Sequence, residues 1–96
     1  MKLIIDGLQI SSEEDFHDAI AKGLALPAWY GKNLDALWDA LTGMVDRPVE
    51  LVWIHAERSK RKLPRYEKIV SLLKDVEKMD HESGREEVFV LRIVEN

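Results

Sequence analysis

Three short runs rich in β-branched and apolar residues, "KLIID", "VELVWIH" and "EEVFVLRIV", are separated by long stretches of helical periodicity. No other feature constrains the fold as much. Strands joined by a few residues pair as antiparallel hairpins, whereas strands joined through helices run parallel with right-handed crossovers. The intervening sequence supplies the helices. In "SSEEDFHDAIAKGL", Ser11 or Ser12 can cap a helix whose first turn is acidic, and Phe16, Ala19, Ile20 and Leu24 recur at helical spacing. Pro27 and Gly31 punctuate a loop; Asn33 is a fitting N-cap for a second helix and Gly43 a natural stop. "DRP" reads as a turn, and "AERSKRKLPR" as a polar, basic stretch broken by Pro64. "YEKIVSLLKDVEK" is amphipathic, with Tyr66, Ile69, Leu72, Leu73 and Val76 on one face, and "HESGR" is a loop. The predicted order is strand, helix, helix, strand, helix, strand. It specifies a small two-layer α/β domain spanning residues 1–96, with a three-stranded parallel sheet and helical crossovers.

Composition narrows the classes of function. An apolar fraction of 46% argues for a packed core rather than disorder. There are no cysteines, so disulfides and thiolate metal sites are excluded. No apolar run reaches the ~20 residues of a membrane helix, and the N-terminus reads as a strand, not a signal peptide. The expected address is the cytoplasm, with no membrane partner. Charge is unevenly spread. Residues 1–57 hold ten acids and four bases, a net of −6, and residues 58–96 hold eight acids and ten bases, a net of +2. The acidic part should attract a basic partner and repel nucleic acid.

Within the acidic part lies "PAWYGKNLDALWDALTG", holding two of the three tryptophans. On a helical wheel, Leu34, Leu37 and Leu41 face the core and Trp38 lies at the margin of that face. Asp35 and Asp39 fall together just beyond it. Carboxylates at i and i+4 repel by a few tenths of a kcal/mol, and only Lys32 stands at a compensating spacing. Either the pair lies on a solvated face or it serves a partner. Trp29 and Tyr30 cap a core or anchor an interface; Trp53, inside a strand, is core.

Other chemistries are poorly served. His17, His55 and His81 are scattered without metal-ligand spacing, and no nucleophile elbow, P-loop or dinucleotide fingerprint occurs. Asp35, Asp39 and Asp46 could share a Mg²⁺ in a nuclease, but substrate phosphates would need bases that this stretch lacks. "RSKRKLPR" is the one run suited to nucleic acid, and it reads better as solvated surface in a chain of net charge −4. No catalytic residue, metal or cofactor is expected.

"LALPAWYGKNLDALWDALTG" resembles the signature of the barstar family, intracellular inhibitors of the secreted ribonuclease barnase. The likeness is dense from Gly7 to Pro48 and weakens after Lys60. It implies a three-stranded parallel sheet with helices and an inhibitor that seals the active site of a small, basic, guanyl-specific ribonuclease. The resemblance also implies a partner-binding set. The stacking aromatic falls on Trp29, where the family type has Tyr, and the acidic contacts fall on Asp35 and Asp39. Gly31, Asn33, Leu34, Trp38, Thr42 and Gly43 belong to the same surface. Met44 replaces a tryptophan, and Asp75 aligns with a glutamate on the later helix. Arg47-Pro48 matches a family X-Pro bond that is cis. The alternative is a barstar-like module that has kept this surface for another basic protein, such as a different nuclease toxin.

Overall fold

The computed structural model describes residues 1–96. Three strands, β1 (Lys2–Asp6), β2 (Val49–Ile54) and β3 (Phe89–Ile93), form a sheet in the order β1-β2-β3, parallel throughout. Lys2 pairs with Glu50, and Val49 with Phe89. The parallel sheet follows the predicted alternation of strands and helices. β2 is central, which explains why "VELVWIH" is apolar at nearly every position.

Four helices accompany the sheet: α1 (Glu13–Gly23), α2 (Leu34–Gly43), α3 (Ala56–Lys62) and α4 (Tyr66–Glu82). α1 packs on β1, α4 on β3, and α2 on α4. The core is one cluster drawn from both layers, with Trp53 at its centre. Phe16 stacks on the Trp53 indole at 4.9 Å between ring centres, and Tyr66 meets it edge-on at 5.3 Å. The indole N–H donates to Ser59 Oγ at 3.0 Å, so this buried donor is satisfied.

Two expectations need correction. The predicted order lacked α3, which occupies most of the basic stretch. Its signal is weak because only Ala56 and Ser59 of the helix are buried, both small residues without a visible apolar stripe. His55 turns the chain into it with a left-handed φ of 51°. Gly7 makes this corner possible, because a Cβ there would collide with the His55 carbonyl. The second correction is that α4 runs through His81 and Glu82, read as loop; the turn comes at Gly84, whose φ is +74°.

One ionic cluster ties the sheet to the segment before β2. Asp80, fully buried near the end of α4, receives Arg47 Nε at 2.7 Å and Nη2 at 3.2 Å, and the Phe89 backbone N–H at 2.7 Å. The Arg47 guanidinium beside it holds the Asp80 carboxyl below the usual carboxylate range, against the opposing effect of burial. Arg47 also donates to Val45 O, and the Arg47–Pro48 peptide is cis, as the resemblance implies.

Candidate partner-binding surface

The surface begins at the loop between α1 and α2. Asn33 caps α2 by accepting the Ala36 N–H at 2.8 Å, and its amide donates back to Gly31 O. Gly31 sits so close to this cap that an added Cβ would lie 3.3 Å from both the Ala36 Cβ and the Asn33 amide nitrogen. Gly31 and Asn33 therefore shape the loop rather than project from it.

Adjacent aromatics separate here. Trp29 is 72% exposed, while Tyr30 is buried at 8%. Tyr30 OH lies 2.7 Å from Nδ1 of His17, itself buried on α1. One residue further along α1 and two further along the loop, Asp18 pairs with Lys32 at 2.8 Å. Residues 17 and 18 of α1 thus hold residues 30 and 32 of the loop, one contact inside the protein and one outside. Lys32 spends its charge on Asp18 and not on Asp35, the neighbour that sequence spacing offered.

α2 follows the predicted wheel. Leu37 and Leu41 are fully buried, Leu34 is half-buried, and Trp38 is 36% exposed at the margin. Asp35 and Asp39 are exposed, and the molecule's ion pairs engage neither. Asp35 lies in the first turn, where the helix dipole favours an anion; Asp39 has no such support, and the last turn contains no base. Thr42 returns its hydroxyl to Trp38 O at 2.7 Å.

α4 completes the surface. Asp75 is exposed and, with Asp35, Trp38 and Leu34, lines a cleft of about 390 Å³ between α2 and α4; Lys68 stands on its rim. Trp38 and Asp75 also line the next cleft along, beside Lys78 and Met79. Trp38 is therefore a ridge with a recess on each side. Of the predicted residues, Leu34, Asp35, Trp38 and Asp75 converge here. Gly43 and Met44 lie past the ridge at the end of α2, and Met44 faces a separate recess with Pro27. Sequence reading missed Lys68, Ser71, Leu72 and Met79, which the α4 wheel places beside Asp75 once that helix is packed against α2. No group of three or more His, Asp or Glu side chains is arranged to hold a metal, so Asp35, Asp39 and Asp46 form no ligand set.

The family model described as "Barstar (barnase inhibitor)" matches residues 1–93. The Bacillus subtilis (strain 168) protein named "Putative ribonuclease inhibitor YrdF" is 48% identical over 65 residues, covering 68% of this chain and 71% of that protein. With the family match running from β1 through β3, the chain belongs to the barstar family, whose members inhibit and do not catalyse.

Proposed function

We propose that this barstar-family ribonuclease inhibitor works by occlusion. The loop around Trp29, helix α2 and the facing side of α4 close over the basic cleft of a small secreted guanyl-specific ribonuclease of the barnase type. One observation carries the reading: Asp35, Asp39 and Asp75 are exposed carboxylates without ion-pair partners, held on packed helices beside two exposed tryptophans. A ribonuclease site is a concave cluster of cations built for phosphates. Carboxylates at fixed spacing imitate those phosphates, and binding neutralises both sets of charges. Trp29 and Trp38 add large contact area at little rotamer cost. Ordering is already in place, since His17, Asp18 and Asn33 hold the loop before any partner arrives. The role is protection of the producing cell, exercised in the cytoplasm before the nuclease is exported.

Titration into barnase and related ribonucleases tests this directly. Activity should fall linearly to zero at a one-to-one ratio, with a matching complex on size exclusion. Capture of a different basic nuclease, with barnase-type enzymes untouched, would favour the alternative partner. Asp39→Ala should weaken inhibition more than any other single acidic change and leave folding intact, because Asp39 points away from Leu37 and Leu41. An Asp39→Ala protein that inhibits like the wild type would overturn the assignment of that surface.

A further inference from the structure

The two outer edges of the sheet differ. On β3, N–H groups that face away from β2 are taken by carboxylates of α4: Phe89 donates to Asp80 at 2.7 Å and Leu91 to Glu77 at 2.9 Å. β1 has no such cover. Glu50 N–H donates to Met1 O at 2.9 Å, and Lys2 is in register with Glu50, so the ladder to β2 uses Met1, Leu3 and Ile5. Lys2, Ile4 and Asp6 therefore turn their backbone groups outward. The Asp6 carbonyl opens the short 3-10 turn Gly7–Gln9. The other outward groups, both of Lys2, both of Ile4 and the Asp6 N–H, meet no partner within the molecule.

The side chains of these three residues stand on the sheet face opposite the core, since Leu3 and Ile5 between them pack into it. Ile4 is 55% exposed, Lys2 is exposed and Asp6 is half-buried. Neither Lys2 nor Asp6 has an ion-pair partner. Asp6 Oδ1 accepts the Leu8 N–H at 2.9 Å, which leaves Oδ2 open. The other charges nearby are engaged. The Met1 ammonium donates to Pro48 O at 2.8 Å, and Glu50, beside Lys2 on β2, pairs with Arg92 at 3.1 Å. Arg58, the remaining cation near Asp6, donates to Leu8 O at 2.7 Å. A lysine on an open edge ordinarily repels a second strand. Here an acid stands equally far on the other side of Ile4, so Lys-x-Ile-x-Asp is its own complement when read backwards.

We propose that β1 is a self-association edge, pairing antiparallel with β1 of a second copy about a twofold axis at Ile4. Lys2 then stands opposite the partner's Asp6, Ile4 opposite the partner's Ile4, and Asp6 opposite the partner's Lys2. Directly opposed residues share a sheet face, so two charge pairs flank one apolar pair. Ile4 and the partner's Ile4 exchange both backbone bonds, and each Asp6 N–H reaches a Lys2 carbonyl across the axis. Met1 falls opposite the partner's Gly7, which brings no charge. A parallel pairing would set Lys2 against the partner's Lys2, and a slip of two residues would break both charge pairs. The contact is isologous and closed, so it makes dimers rather than fibres. Five-residue strands bury less than the ~1,200 Å² of a stable complex, which puts the Kd at roughly micromolar to millimolar. The edge shares no residue with the surface of Trp29, α2 and α4, so each copy keeps its nuclease surface and the inference is independent of the occlusion reading.

Sedimentation equilibrium over about 10 μM to 1 mM tests the edge, with thermal melts as a check on folding. The wild-type mass should climb with concentration from 11.1 kDa toward twice that value. Lys2→Glu and Asp6→Lys each set like charges against one another across the axis, and each alone should raise the dimer Kd about tenfold or more. An equimolar mixture of the two variants should recover association to within about threefold of wild type, because opposite charges face each other again in the mixed dimer. A wild type that stays monomeric throughout overturns the proposal. So does a dimer indifferent to both variants, or a mixture of two folded variants that does not recover. Asp6→Lys gives up the cap on Leu8 N–H, so a second measurement stands apart from it. The chain has no cysteine, and Ile4→Cys would place two thiols opposite each other at a Cα separation of about 5.5 Å, within disulfide range. Under air oxidation Ile4→Cys should become a disulfide dimer at least about tenfold faster than Leu8→Cys, an exposed site off the axis. Equal rates would overturn the register even if the wild type dimerises.

Discussion

Trp29 and Tyr30 are neighbours in sequence with opposite fates, and the difference lies with His17. Its Nε2 makes no hydrogen bond but sits 3.5 Å from Glu13 Oε2, an atom that only accepts; Arg65 binds both oxygens of the same carboxylate. The proton of neutral His17 therefore belongs on Nε2, and Nδ1 accepts from the Tyr30 hydroxyl. Burial pushes the His17 pKa below its ordinary value, with Glu13 and Asp18 opposing and Arg65 assisting. Burial likewise raises Tyr30 to about 12. The unfolded chain then takes up the histidine proton first. Stability from this site is complete above pH ~6.5 and drains as pH falls through that value toward the lower folded pKa. Urea midpoints measured from pH 8 to 5 should show the decline, and His17→Asn should flatten it; a flat wild-type profile would refute the assignment. Substitution of the two tryptophans should separate along the same line. Trp53→Ala should cost ~3–5 kcal/mol through a core cavity. Trp29→Ala should leave the melting temperature within a few degrees and weaken nuclease binding instead. The sequence distinguishes these two tryptophans by position in a strand or beside a glycine turn. It does not assign Tyr30 or Lys32, because their partners lie on a helix 13 or more residues away.

Secondary structure was legible wherever one face of an element is apolar over several turns. α1, α2, α4 and all three strands follow their periodicity, and Asn33 caps as its type suggests. α3 fails that test, being seven residues long and held by Ala56, Ser59 and the following Leu63. Its placement depends on the Trp53 indole finding Ser59, a contact between elements that no local pattern encodes. The Arg47–Asp80 pair is hidden for the same reason. Arg47 reads as part of a turn and Asp80 as the polar end of a helix. Together they join α4, the start of β3 and the segment before β2. Asp80→Asn would leave the Arg47 guanidinium buried without a counter-charge, and the expected cost is about 3–5 kcal/mol in chemical denaturation. A loss below ~1 kcal/mol would mean that water reaches Arg47 easily. The pH dependence has the same sign as that of His17, because folding lowers both pKa values; burial does so at His17 and the Arg47 guanidinium at Asp80. The Asp80 pKa is depressed on folding, so its contribution is present above the ordinary carboxylate range and disappears as the solution is acidified through it.

The molecule measures 35 × 30 × 21 Å, wide enough for charges on different faces to be sensed separately once salt is present. At 0.1 M the Debye length is ~10 Å, against ~30 Å at 0.01 M. If the acidic surface guides a basic nuclease, association should slow steeply over that range while dissociation changes far less. Stopped-flow measurements should show the slope flattened by Asp35→Lys or Asp75→Lys and spared by reversals at Lys60, Arg61 and Lys62. An association rate indifferent to salt would count against electrostatic docking. The parallel sheet adds a consequence for when this protein can act. Loop, cap and α2 all belong to the crossover between β1 and β2, so Lys2 must wait for Glu50, and Asp75 arrives later still. A ribosome has made most of the chain before any part of the surface can hold its shape, since Leu37 and Leu41 need Trp53 and α4 to pack against. On the proposed reading, a nascent or truncated chain would leave its target nuclease uninhibited, and only finished copies would count.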